Sequence, residues 1–231
     1  MKRIFTIIAC AFALPGAVLA AIRSYDTADF ERVSVAAGIK ADVSVGSARS
    51  IRAETKADNF EDLEISVKDN VLHIGRPTTG WFTNVFTHRP EYQVHVSTPA
   101  LHSLTASSGA EVTVKGVVGD FTVHASSGSD VDVSLDKGGT VIASTSSGSE
   151  IELSGSCVSL KADSSSGSDL DADDLRCETV SLQASSGSDL SVSASKSVTG
   201  QASSGSDIRV RGKPSSVEVD TSSGAHLVVK E

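Results

Sequence analysis

The sequence predicts an all-β chain folded as a parallel β-solenoid, a β-helix of coils about 19 residues long, on three observations. A short phrase recurs at nearly constant spacing, the residues on both sides of it alternate between apolar and polar, and the repeating part has no helical period. The phrase reads SSGSDV at 126–131, SSGSEI at 146–151, SSGSDL at 165–170 and 185–190, and SSGSDI at 203–208. Looser copies are SSGAEV at 107–112 and SSGAHL at 222–227. Its glycines are Gly109, Gly128, Gly148, Gly167, Gly187, Gly205 and Gly224, which stand 19, 20, 19, 20, 18 and 19 residues apart. A fixed period of that size marks a stacked repeat.

The first strand of each coil follows the glycine. The third residue after it is Val112, Val131, Ile151, Leu170, Leu190, Ile208 or Leu227, and the fifth is apolar in every copy. The residue between them is mostly polar: Thr113, Asp132, Glu152, Asp171, Ser191, Arg209 and Val228. Period two means a strand with one buried face. A second strand precedes the glycine, with Phe121, Val141, Leu160, Val180, Val198 and Val217 seven residues before it. This strand tapers to Ala, Ser or Thr as it enters the phrase. All length variation falls between the two strands, as expected of a loop that tolerates insertions. Two short strands cannot bury an apolar face alone, so coil must stack on coil. Seven coils at roughly 4.8 Å per coil make a rod of about 30 Å. The SSG phrase is then a corner, where glycine supplies φ > 0 and the serines hydrogen-bond nearby backbone.

Residues 24–106 are extended but less regular and read as irregular first coils and a cap; residues 107–231 are the regular part of one domain spanning 21–231. Val67–Val71 reads as a tight hairpin connection and 58–63 (DNFEDL) as a short turn. Residues 76–90, RPTTGWFTNVFTHRP, break the alternation. They hold Trp81, Phe82 and Phe86, three of the eight aromatics beyond residue 20. Such a loop either packs onto an open end of the solenoid or offers an aromatic surface to a sugar ring or a partner chain.

Residues 1–20 start with Lys2 and Arg3, continue through an apolar stretch and finish with small residues at Val18-Leu19-Ala20, which reads as a secretory signal peptide. Its removal takes two of the 20 basic residues and none of the 29 acids, so 18 face 29, a net of −11. That balance, with 4% aromatics, argues against nucleic acid as a partner. No later run is long enough to form a membrane-spanning helix. The expected setting is export to the periplasm, the outer surface or the medium.

Cys157 and Cys177 follow their coil glycines by nine and ten residues. In a stack these positions nearly coincide, and an oxidising compartment would let them bridge. The second residue after each glycine forms an acidic column: Glu111, Asp130, Glu150, Asp169, Asp189 and Asp207, then His226. Carboxylates about 5 Å apart repel by roughly 0.8 kcal/mol per neighbour even at the dielectric of water. Hydrogen bonds from turn N–H groups and serine hydroxyls are the favoured compensation. A Ca²⁺ ladder is the alternative, although the nonapeptide of known calcium solenoids is missing; no cofactor is expected.

The segments FERVSVAAGIKADVSVGSA at 30–48, LEISVKDNVLHIG at 63–75 and VHVSTPALHSLTASSGAEVTV at 94–114, followed by serine-glycine-rich coils, resemble the putative auto-transporter adhesin, head GIN domain family. The resemblance covers about residues 28–230. It implies a β-helical fold, a cell-envelope or surface setting and no catalytic residues. No Gly-x-Ser-x-Gly, His-Glu-x-x-His, P-loop or Rossmann pattern is present, and the six histidines are scattered. The expected function is non-enzymatic, binding a cell-surface glycan or protein or scaffolding at the envelope. A carbohydrate-active enzyme and a purely structural protein are the other readings.

Overall fold

A computed structural model describes residues 20–57, 59–77 and 90–230. Its strands are β1 (Ala21–Tyr25), β2 (Arg32–Val35), β3 (Lys40–Val45), β4 (Ser50–Thr55), β5 (Glu64–Lys68), β6 (Val71–Gly75), β7 (Tyr92–Thr98) and β8 (Ser103–Ser107). They continue with β9 (Glu111–Ser126), β10 (Asp130–Ser146), β11 (Glu150–Ser165), β12 (Asp169–Ser185), β13 (Asp189–Ala202), β14 (Asp207–Arg211), β15 (Ser216–Thr221) and β16 (His226–Val229). β9 to β13 pair in parallel, each with the next. β14 and β15 continue the two halves of β13, and β16 follows β14. The chain is a β-solenoid of about seven turns.

The register places the predicted columns in line. Val112, Val131, Ile151, Leu170, Leu190, Ile208 and Leu227 are successive Cα partners. Phe121, Val141, Leu160, Val180, Val198 and Val217 form a second column. Both are buried until the last coil. The expected loop between two strands is not a separate loop. Each of the coils β9 to β13 runs through it as extended chain, and coils of unequal length are reconciled by register shifts, as between Leu135 and Thr140 or Ala172 and Arg176. An extra residue enters as a β-bulge and leaves the rest of the ladder intact.

The corner is a two-residue turn with both central residues left-handed. Ser127 has φ 56° and Gly128 φ 68°, and the pair recurs at Ser147–Gly148, Ser166–Gly167 and Ser186–Gly187. This is the type I′ pattern. The glycine was the predicted left-handed residue; the serine before it was not. Left-handed backbone costs a non-glycine residue about 1–2 kcal/mol, and two sets of hydrogen bonds offset it. The glycine N–H donates to the next coil's serine carbonyl, as in Gly128 to Ser147 (3.2 Å) and Gly167 to Ser186 (3.1 Å), so the ladder continues through the corner. The serine after the glycine turns inward. Ser129, Ser149, Ser168, Ser188 and Ser206 are all at most 3% exposed. Ser129 Oγ accepts the Ser126 N–H and donates to the Ala106 carbonyl of the preceding coil, each at 3.1 Å, and Ser149 repeats this with Ser146 and Ala125. Ala37–Gly38 forms the same corner without the SSG phrase, with φ of 65° and 69°, and Gly38 donates to Ser108.

The first coil in sequence is not the first in space. β2 lies between β6 and β8, and β3 between β7 and β9. The later pair β6–β7 therefore stacks outside β2–β3. β4 on β7, β1 on β4 and β5 on β6 are antiparallel and close this end. The β5–β6 turn is left-handed at Asp69 and Asn70, the hairpin expected there. Beneath the closure Phe60 and Tyr92 stack at 5.9 Å, with Arg23 over Phe60 and Arg76 over Tyr92. At the other end Val217, Val219 and Leu227 are only partly buried. Cys157 and Cys177 are direct register partners joined by a disulfide, with Cα atoms 4.5 Å apart.

Candidate functional site

The stacked corners divide two lengthwise surfaces, one carried by the strands after each corner and one by the strands before it. On the first, the outward side chains make the predicted acidic column in register: Glu111, Asp130, Glu150, Asp169, Asp189 and Asp207. A second column, Asp132, Glu152 and Asp171, runs beside it. Lys40 pairs in register with Glu111 and forms a salt bridge with it at the head of the row.

The turn hydrogen bonds expected to satisfy these carboxylates are not formed among the described residues. The N–H groups are used by stacking, as in Asp130 N–H to the Ala110 carbonyl and Glu150 N–H to that of Ser129, both 2.9 Å. The hydroxyls of the serines that follow the glycines, Ser129, Ser149, Ser168, Ser188 and Ser206, are buried in the core. Partial burial first, and then the neighbouring carboxylates Asp130, Asp169, Glu152 and Asp171, push the Glu150 carboxyl above its ordinary value. Burial, then Asp189 and Asp171, do the same to Asp169, partly offset by Arg209. The acids thus form a line of mutually repelling groups. Among the described residues no three His, Cys, Asp or Glu side chains converge to hold a metal ion.

The surface before the corners is concave and differs in chemistry. A groove of about 740 Å³ runs along it. One wall is the in-register column His124, Ser144, Asp163, Gln183, Gln201 and Asp220. The other is Ser126, Ser146, Ser165, Ser185, Ser203 and Ser222. Ser126, Ser146, Ser165 and Ser185 donate their backbone N–H to the inward serines. Among the described residues their hydroxyls, and the Gln183 and Gln201 amides, have no protein partner. Between the walls lie Ala125, Thr145, Ser164, Ala184 and Ala202, which the sequence marks only as a taper to small residues. The hollow arises because the taper recurs in every coil.

Trp81, Phe82, Phe86 and His88 lie outside the described residues, but the flanks of their segment are placed. β6 pairs with β2 and β7 with β3, so the end of β6 and the start of β7 lie beside the two sides of the Ala37–Gly38 corner. Arg76 ties this stem together. Its guanidinium donates to the Pro90 carbonyl at 2.7 Å and the Ala37 carbonyl at 3.1 Å, and pairs with Asp62, which also accepts from Tyr92 Oη. Burial, then this hydrogen bond, raises the Tyr92 phenol above its ordinary range. Nothing in the sequence singled out Arg76. His95 lies half-exposed beside Asp42, 3.1 Å away.

The regular corners, the columns and the displaced first coil occur in a chain whose residues 29–214 match the model of the putative auto-transporter adhesin, head GIN domain family. The chain belongs to that family. No curated protein matches it. Among solved structures it is similar to a putative adhesin of Bacteroides fragilis, with TM-score 0.80 and 14% identity over 93% of this chain and 98% of that one. It also resembles a putative lipid binding protein of Parabacteroides distasonis, with TM-score 0.67 and 16% identity over 90% and 96% of the two chains. A putative adhesin of Parabacteroides merdae gives TM-score 0.65 at 13% identity over 90% and 96%. These likenesses show a shared fold. Among the described residues of this GIN-domain chain, no helix is long and apolar enough to cross a membrane.

Proposed function

We propose that this chain is an exported, non-enzymatic, adhesin-like module that binds molecules at the cell envelope or cell surface through its length. The observation that carries this reading is the surface before the corners: polar side chains held in register along a groove by a rigid ladder, in a member of an adhesin-named family. A repeating surface on a stiff rod suits many weak contacts made together. Residues 1–20 supply the export signal. Trp81, Phe82 and Phe86, read from the sequence as an aromatic surface, stand as a second candidate contact region.

Attachment is the test. A deletion strain should adhere less than its parent, and the purified protein should bind saturably to isolated envelope or surface material without shortening any polysaccharide in it. N-terminal sequencing of the exported protein should start after Ala20. Absence of saturable binding, or release of reducing ends from a polysaccharide, would overturn the reading.

A further inference from the structure

We infer that the groove before the corners is a binding site for a linear, uncharged polysaccharide laid parallel to the solenoid axis. The inference rests on the adhesin-like reading and adds the ligand class to it. The groove spans six successive coils, roughly 24 Å at 4.8 Å per coil. Each coil adds the same kind of rung, a serine hydroxyl on one wall and a polar side chain on the other. A site built of evenly spaced polar rungs suits a polymer whose own groups repeat along its length.

The chemistry narrows the polymer. Hydroxyls and the Gln183 and Gln201 amides both donate and accept, as sugar hydroxyls do. Asp163 and Asp220 only accept, which suits adjacent sugar hydroxyls and repels anionic chains. Among the described residues His124 is the one basic side chain in the lining, in a protein of net charge −9, so nucleic acids and acidic glycans are disfavoured. An extended peptide would need free backbone groups to pair with. Here the strand and corner N–H groups are engaged by neighbouring coils. Among the described residues no Phe, Tyr or Trp side chain lines the groove, so affinity must grow with the number of rungs engaged.

The experiment titrates the purified protein with uncharged linear oligomers of glucose, mannose, galactose and xylose of increasing length, using calorimetry. Oligogalacturonates and a serine-glycine peptide serve as controls. At least one uncharged series should bind, more tightly as it lengthens. Gln183→Ala/Gln201→Ala, both exposed positions, should weaken it about tenfold or more while the melting temperature is kept. Asp132→Asn/Glu152→Gln on the other surface should leave it unchanged. The inference is overturned if no uncharged oligomer binds, if the acidic glycan or the peptide binds instead, or if the glutamine variant binds as well as the parent. If the protein still binds envelope material saturably in any of those cases, only the ligand class fails. If it binds neither, the adhesin-like reading fails as well.

Discussion

Replacing Ser149 with alanine removes one oxygen atom from a site where it serves two coils. The side chain is 2% exposed. Its oxygen accepts the Ser146 N–H at 3.2 Å, and its proton is shared between the carbonyls of Ser146 (2.8 Å) and Ala125 (2.9 Å), the latter in the preceding coil. Alanine leaves a negligible cavity, so the loss is one of hydrogen bonding. An orphaned buried donor costs about 1–3 kcal/mol. At 2–4 °C per kcal/mol for a chain of this size, the melting temperature should fall by roughly 2–12 °C. Circular dichroism melts with urea titration measure it. Ser127→Ala is the control: that serine is exposed, already left-handed, and interacts through its backbone, so its change should stay within about 0.5 kcal/mol. If Ser149→Ala melted with the parent, or no lower than the control, the buried serine row would not be what fixes the corner.

Gly167→Val should cost about 1–3 kcal/mol from left-handed strain alone, because the space around an added Cβ is free. Gly155→Ala should cost more, about 2–6 kcal/mol, because its Cβ would overlap the Leu135 carbonyl oxygen as well as strain φ; equal urea midpoints for the two would contradict this. Reducing the Cys157–Cys177 bridge, whose ends are 20 residues apart, should cost about 3 kcal/mol, read from urea midpoints with and without reductant. The contribution of Glu150 and Asp169 to stability should rise on acidification. The folded values of Glu150 and Asp169 lie above their ordinary 4.5 and 3.8, so the folded state takes up protons first. The gain begins as pH falls through the raised values and is complete below the ordinary ones. Urea titrations across that window should show it shrinking in Glu150→Gln/Asp169→Asn; an undiminished gain would place its origin elsewhere.

The stacking columns were legible because two periods intersect in the sequence. Alternation fixes which face Val131 and Ile151 take, and the 19–20 residue repeat fixes that they are neighbours. The displaced first coil was not legible, since Val33 and Val35 alternate identically whether β2 follows β6 or precedes it. The corner glycines announced themselves, but Ser127 did not, because serine carries no signature of positive φ and is held there by its neighbours in the stack. The acidic column was visible and its compensation was misjudged. Turn N–H groups that would cap a carboxylate in an isolated turn are taken by the adjacent coil here. The groove had no motif to find, since it comes from small residues repeated in register and not from a reactive constellation. The disulfide was legible as a coincidence of offsets, nine and ten residues from successive glycines.

Amide hydrogen exchange at the corner glycines tests the stacked-corner structure most directly. Gly109, Gly128, Gly148, Gly167, Gly187 and Gly205 are exposed, yet each donates its N–H to the serine carbonyl of the next coil at 3.0–3.3 Å. These amides should exchange as slowly as those of the strands beside them. Exchange at the rate of a free surface turn, with the strands still protected, would mean that the corners do not stack and that the SSG phrase merely connects the strands.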